Sequence, residues 1–137
     1  MSLTVPAFPV VRCQIDTATT GSIIMNNAPQ PLVATSIQTL RVGVIAFTAS
    51  IARQMNRPVE LNILEPGRDP FRIAVHPDGF TQTISPDRTV PEIPAGDARP
   101  IAHAPCRNCG RMVTPTYTYC IHCRTRNPLS VLIGEDA

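Results

Sequence analysis

A chain of 137 residues has room for one modest domain and a small appendage, and its 43% hydrophobic content supplies a core without any Trp. All twelve basic residues are Arg, which excludes Schiff-base chemistry and a phosphate-binding P-loop lysine. The net charge of +2 permits a nucleic-acid partner but does not demand one, although residues 1–98 sum to −1 and residues 99–137 to +3.

Residues 1–9, broken by Pro6 and Pro9, read as an irregular arm lacking the charged start of a secretory leader. Val10, Val11, Cys13 and Ile15, set against Arg12, Gln14 and Asp16, predict a strand over 10–17. Cys13 lies far from the other cysteines and reads as a small buried hydrophobe. A turn at 19–21 leads to a second strand over 22–26. The stretch 26–31, with Pro29 and Pro31, reads as a loop.

Residues 35–56 predict a helix. Thr35 is the expected N-cap, with Gln38 completing a capping box. Ile37, Leu40, Val44, Phe47, Ile51 and Met55 recur at intervals of three and four, giving one apolar face. Pro58 is expected to stop the helix. The uncharged run 42–52 is shorter than the roughly 20 residues that a bilayer span needs.

A hairpin follows. Val59, Leu61 and Ile63 alternate with Glu60 and Asn62, while Phe71, Ile73 and Val75 alternate with Arg72 and Ala74, on either side of Pro66-Gly67. His76-Pro77-Asp78-Gly79 reads as a surface turn before a candidate strand over 80–84. From 85 to 104, Pro86, Pro91, Pro94 and Pro100 punctuate small and polar residues, which predicts a semi-stiff, extended linker.

Beyond the linker, Cys106 and Cys109, followed by Gly110, face Cys120 and Cys123 across a ten-residue spacer. Two such Cys-x-x-Cys turns aim four thiolates at one tetrahedral ion. Four sulfurs leave no open position for water, so the ion holds structure and does not hydrolyse. Iron accepts the same ligands as zinc. His103 could substitute as a ligand but reads as exposed. Residues 129–133 read as a short strand or docking tail, and 134–137 as mobile.

Residues 105–127 resemble the small four-cysteine zinc-ribbon family. Tyr119 stands where that family has Phe or Tyr before the third ligand. Arg124 departs from the pattern, because the family commonly repeats glycine after the fourth ligand. The resemblance implies a structural Zn2+ held by Cys106, Cys109, Cys120 and Cys123. It implies no particular role, since such ribbons are attached to proteins of many functions.

Together these elements predict an α+β fold. A two-layer ββαββ sandwich spans 10–84, the Pro-rich linker 85–104, and the zinc ribbon with its tail 105–137. The order of elements resembles the ubiquitin-like β-grasp. The expected function is a non-enzymatic, cytoplasmic protein-interaction or adaptor module with another protein as partner, and with neither a membrane nor a small-molecule substrate. Sheet edges open to strand addition and a tethered second surface support this expectation. The alternative is a nucleic-acid-binding accessory protein, using Arg107, Arg111, Arg124 and Arg126 with Tyr117 and Tyr119 as stacking platforms. Without a Gly-rich phosphate loop, a nucleophile elbow or an open metal site, the sequence carries no signature of an enzyme.

Overall fold

Alternating apolar side chains need a sheet with one covered face, and the computed structural model supplies it. Residues 2–6, 9–25, 28–91 and 101–132 are described. In chain order the elements are β1 (Ser2–Thr4), β2 (Val10–Ile15), β3 (Thr20–Met25), β4 (Ala28–Val33), α1 (Ile37–Met55), β5 (Val59–Leu64), β6 (Phe71–Val75), β7 (Thr81–Thr83), β8 (Thr89–Pro91), β9 (Ala104–Pro105) and β10 (Met112–Val113). The architecture is α+β: a mixed six-stranded sheet of order β4-β3-β2-β5-β6-β7, with α1 packed on one face and a small hairpin bearing the four-cysteine cluster at the C-terminal end. The centre is the parallel pair β2–β5, with Val11 opposite Leu61 and Cys13 opposite Ile63. Every other pairing in this sheet is antiparallel.

Helix α1 starts one residue later than the capping box suggests. Ser36, not Thr35, is the N-cap, and its hydroxyl accepts the Thr39 N–H at 3.1 Å. Its stop is also earlier than Pro58. Asn56 takes the left-handed conformation (φ 56°), and the Arg57 N–H donates to the Ala52 carbonyl at 3.1 Å. Leu40 and Val44 are buried against Val11, Leu61 and Ile63, while Phe47 and Ile51 are half-buried around them. Met55, expected on the same face, is exposed. A second buried face exists that the stripe did not include. Val42 and Ala46 pack against Ala104, Val113 and Leu129 of the C-terminal segment.

The stretch read as a loop at 26–31 is strand β4 over its described residues 28–31. Pro29 and Pro31 fit because β4 is an edge strand: they pair with Ile24 and Ser22, and their missing N–H groups fall on the side facing away from β3. Val33, next in that alternation, donates its N–H to the Val131 carbonyl at 2.9 Å, and Leu32 bridges Leu132. Residues 131–132 therefore dock on the outer edge of β4. The tail at 134–137 lies outside the described residues.

The N-terminal arm also has regular structure. β1 pairs with β8, which falls in the stretch expected to be an extended linker, and residues 92–100 of that stretch lie outside the described residues. On the sheet face opposite α1, Val5, Ala74, Ile84 and Val90 form a small second core. Beside it Glu60, 2% exposed, accepts from Arg72 Nε at 3.1 Å and from Arg88. Arg88 also donates to the Val5 and Pro6 carbonyls at 3.0 and 2.9 Å, and thereby ties the arm to the sheet. His76 is buried, contrary to the surface turn expected, with Nε2 2.7 Å from Gln82 Oε1.

Candidate metal centre and the cleft beside it

Two matching turns build the cysteine cluster. In the first, the Gly110 N–H donates to the Cys106 carbonyl and the Cys106 N–H to the Arg111 carbonyl, at 3.0 and 2.8 Å. In the second, Arg124 N–H to Cys120 O and Cys120 N–H to Thr125 O are both 2.8 Å. The same backbone path thus repeats fourteen residues on. Gly110 sits at φ 78° and Arg124 at φ 67°. The departure of Arg124 from the glycine pattern has not changed the turn. An arginine has been fitted into a glycine conformation.

The four Sγ atoms lie within 4.8 Å of one another, with Cys106–Cys123 at 3.8 Å and Cys109–Cys120 at 3.7 Å. A zinc ion with bonds of about 2.3 Å places tetrahedral sulfurs about 3.8 Å apart. Disulfides need sulfurs about 2.05 Å apart, so this is not a pair of disulfides. The donor set fits zinc. Around it, backbone N–H groups of Asn108 and His122 each approach a sulfur, Cys106 and Cys120 respectively, at 3.4 Å. The Asn108 side chain and the Thr125 hydroxyl donate to Cys123, which holds its thiol down to about 5 and favours the thiolate that a metal requires. Neither supporting residue was singled out from sequence, and their position two residues from a ligand is the signal that could have found them. His103 is exposed and does not belong to the cluster. Cys13 stands apart in the sheet core, where burial pushes its thiol up to about 12, aided by Glu65 and Asp16, so it stays protonated.

The four-cysteine segment is seated on the rest of the chain. Cys106 and Cys120 are buried with Val42. Arg53 Nη1 donates to both the Pro77 carbonyl (2.6 Å) and the Pro115 carbonyl (3.1 Å), joining helix, β6–β7 turn and ribbon through one guanidinium. Burial lowers the Arg53 pKa. The Thr116 hydroxyl adds a bond to the Asp78 carbonyl at 2.8 Å.

The four arginines around the cysteine turns have different surroundings. Arg107 donates to the Asn127 and Arg126 carbonyls at 3.0 and 2.8 Å, bridging the two turns. Arg111 Nη1 is 3.2 Å from His122 Nδ1. Arg124 and Arg126 instead border an open cleft of about 850 Å³ that also involves Arg53 and Tyr119. Tyr117 lines a smaller neighbouring pocket of about 170 Å³. No family model matches the chain, and neither a curated protein nor a solved structure is significantly similar to it. Among the described residues, no helix is long and apolar enough to cross a membrane.

Proposed function

We propose that the chain is a non-enzymatic protein-interaction module whose C-terminal ribbon is cross-linked by one structural zinc ion. Cys106, Cys109, Cys120 and Cys123 would hold the ion, which supplies a rigid cross-link in place of an apolar core. Thiolate ligands persist in a reducing compartment, which supports a cytoplasmic setting. We read the sheet with α1 and the four-cysteine segment as the two units, the first extended by the β1–β8 pair and the second packed on it through Val42. The likeness to a ubiquitin-like β-grasp is one of element order alone, a hairpin, a helix and then further strands, because the parallel partner of β2 is the strand directly after α1 and not the last one.

The observation that carries this reading is the fate of the ribbon arginines. Arg107 and Arg111 each make a contact inside the chain, and only Arg124 and Arg126 of the four border the cleft, which weighs against one continuous phosphate track. Strand addition at β4 is disfavoured, because Pro29 and Pro31 offer no donors there and Val33 is taken. We assign the partner to the ribbon side, where Arg124 and Arg126 border an open cleft.

The second reading, nucleic-acid binding, keeps Arg124, Arg126, Tyr117 and Tyr119. Titration with single-stranded and duplex DNA at increasing salt separates the two. We expect weak binding at physiological salt. Submicromolar affinity with a log–log slope of about −1.8 on duplex or about −1.4 on single strands, as two phosphate contacts give, would favour nucleic acid.

A further inference from the structure

We propose that the cleft between the C-terminal half of α1 and the second cysteine turn takes an acidic, extended segment of a partner protein, seated by one aliphatic side chain. The inference rests on the protein-interaction reading above and names the partner's chemistry. Arg53, Arg124 and Arg126 converge on this cleft, and no Asp or Glu lines it. Among the described residues, the Arg124 and Arg126 guanidinium groups have neither a hydrogen bond nor an ion pair. Planar guanidinium forks match carboxylates in a bidentate manner. Gln54 and Thr118 on the walls offer hydrogen bonds to a peptide backbone.

Two further observations narrow the ligand. Arg124 keeps a long cationic side chain at φ 67°, where Gly110 in the matching turn adopts the same conformation without strain. Strain of this kind collects where a side chain is needed for binding. The cleft also continues inward, past the shared residues Ser50, Arg53 and Asn127, to the pocket of about 170 Å³ walled by Phe47, Tyr117, Leu129 and Leu132. That pocket is of mixed character, with Ser50, Asn127 and Ser130 among its apolar walls, and beside the cations it suits a segment in which one aliphatic residue sits among carboxylates.

The test uses the full metal-loaded chain at physiological salt. Fluorescence anisotropy would follow three labelled probes: a short Asp/Glu peptide with a central Leu, the same peptide with Ser in place of that Leu, and a short oligothymidylate. We expect Arg124→Gly and Arg126→Gln each to weaken the Leu peptide about tenfold, as for one lost charge-assisted bond. Replacing Leu by Ser in the probe should cost about tenfold as well. Arg111→Gln, outside the cleft, should leave binding unchanged. Arg124→Gly relieves backbone strain, so its loss of binding cannot be ascribed to unfolding. Peptide binding that survives both cleft variants, or no binding of either peptide, overturns the cleft assignment while the protein-interaction reading stands. Tighter binding of oligothymidylate, lost in the same variants, overturns that reading too.

Discussion

Gly43 and Leu129 meet where the C-terminal segment crosses the helix: a Cβ on Gly43 would stand 2.7 Å from the Leu129 carbonyl oxygen and 2.6 Å from Val131 Cγ1. Glycine in a helix interior usually costs about 1 kcal/mol relative to alanine. Here the sign reverses, because the obstructing atom is backbone. Gly43→Ala is expected to destabilise the chain by about 1–3 kcal/mol, as overpacking does. A denaturant midpoint that rises in this variant would show that residues 129–131 do not lie on α1.

Metal removal tests the same seam from the other side. Cys120→Ser, or chelation, should take away the proposed zinc centre, of a kind that contributes about 10–16 kcal/mol in finger peptides. Cys120 is buried in the cluster that covers Val42, so loss of the ribbon uncovers a helix face. The helical signal at 222 nm should then melt at a lower temperature. An unchanged helix melting point would mean that the ribbon folds and fails on its own. Elemental analysis should find one zinc per chain in the wild type and none in the variant.

Arg124→Gly isolates the cost of the left-handed turn. Non-glycine residues lose about 1–2 kcal/mol in that conformation. Part of this is offset by the greater freedom of glycine in the unfolded chain. A gain of about 0.5–1 kcal/mol is expected from the thermal midpoint, with the metal content unchanged.

Glu60 gives the chain a defined acid sensitivity. Burial acts to raise its pKa, but hydrogen bonds and charge from Arg72 and Arg88 outweigh burial and leave it lowered. A carboxylate with a lowered folded pKa contributes stability above its unfolded value, about 4.3, and loses it as pH falls through the folded value. Glu60→Gln should cost about 2 kcal/mol at neutral pH. That is less than a fully buried broken pair, because the Arg72 and Arg88 side chains are 40% and 28% exposed. The wild-type and variant stabilities should converge below about pH 4. Curves that stay parallel would show that Glu60 is not ionised in the folded chain.

Core truncations should separate the faces of α1. Leu40→Ala is expected to cost about 2–5 kcal/mol, since Leu40 has no exposed surface. Phe47 is half-buried and borders the inner pocket, so Phe47→Ala should cost about 2 kcal/mol, not the larger penalty of an enclosed aromatic. Equal losses in urea titrations would place Phe47 in the core after all.

Periodicity made β2, β3, α1, β5 and β6 readable, because each buries alternate or i, i+3/i+4 residues. It could not reveal β4, where two prolines count against a strand unless the edge position is known. β1 and β8 are three residues long, too short for any period. The second face of α1 combines Val42 with the small residues Gly43 and Ala46, which carry no strong apolar period. At the site, the cysteine spacing was sufficient for the cluster. The arginines were not separable by sequence, because Arg107 is claimed by backbone carbonyls of residues 126 and 127, which leave no side-chain signature. Arg53 belongs to no motif at all.

The edge at β4 also has an order in time. Translation delivers Pro29 and Pro31 long before residue 131 exists to cap Val33. During that interval the sheet's outer strand is guarded by ring nitrogens alone, which cannot donate to a neighbouring chain. The later docking of residues 131–132 closes a boundary that was already poor in donors, so unfinished chains have little to offer one another at this edge.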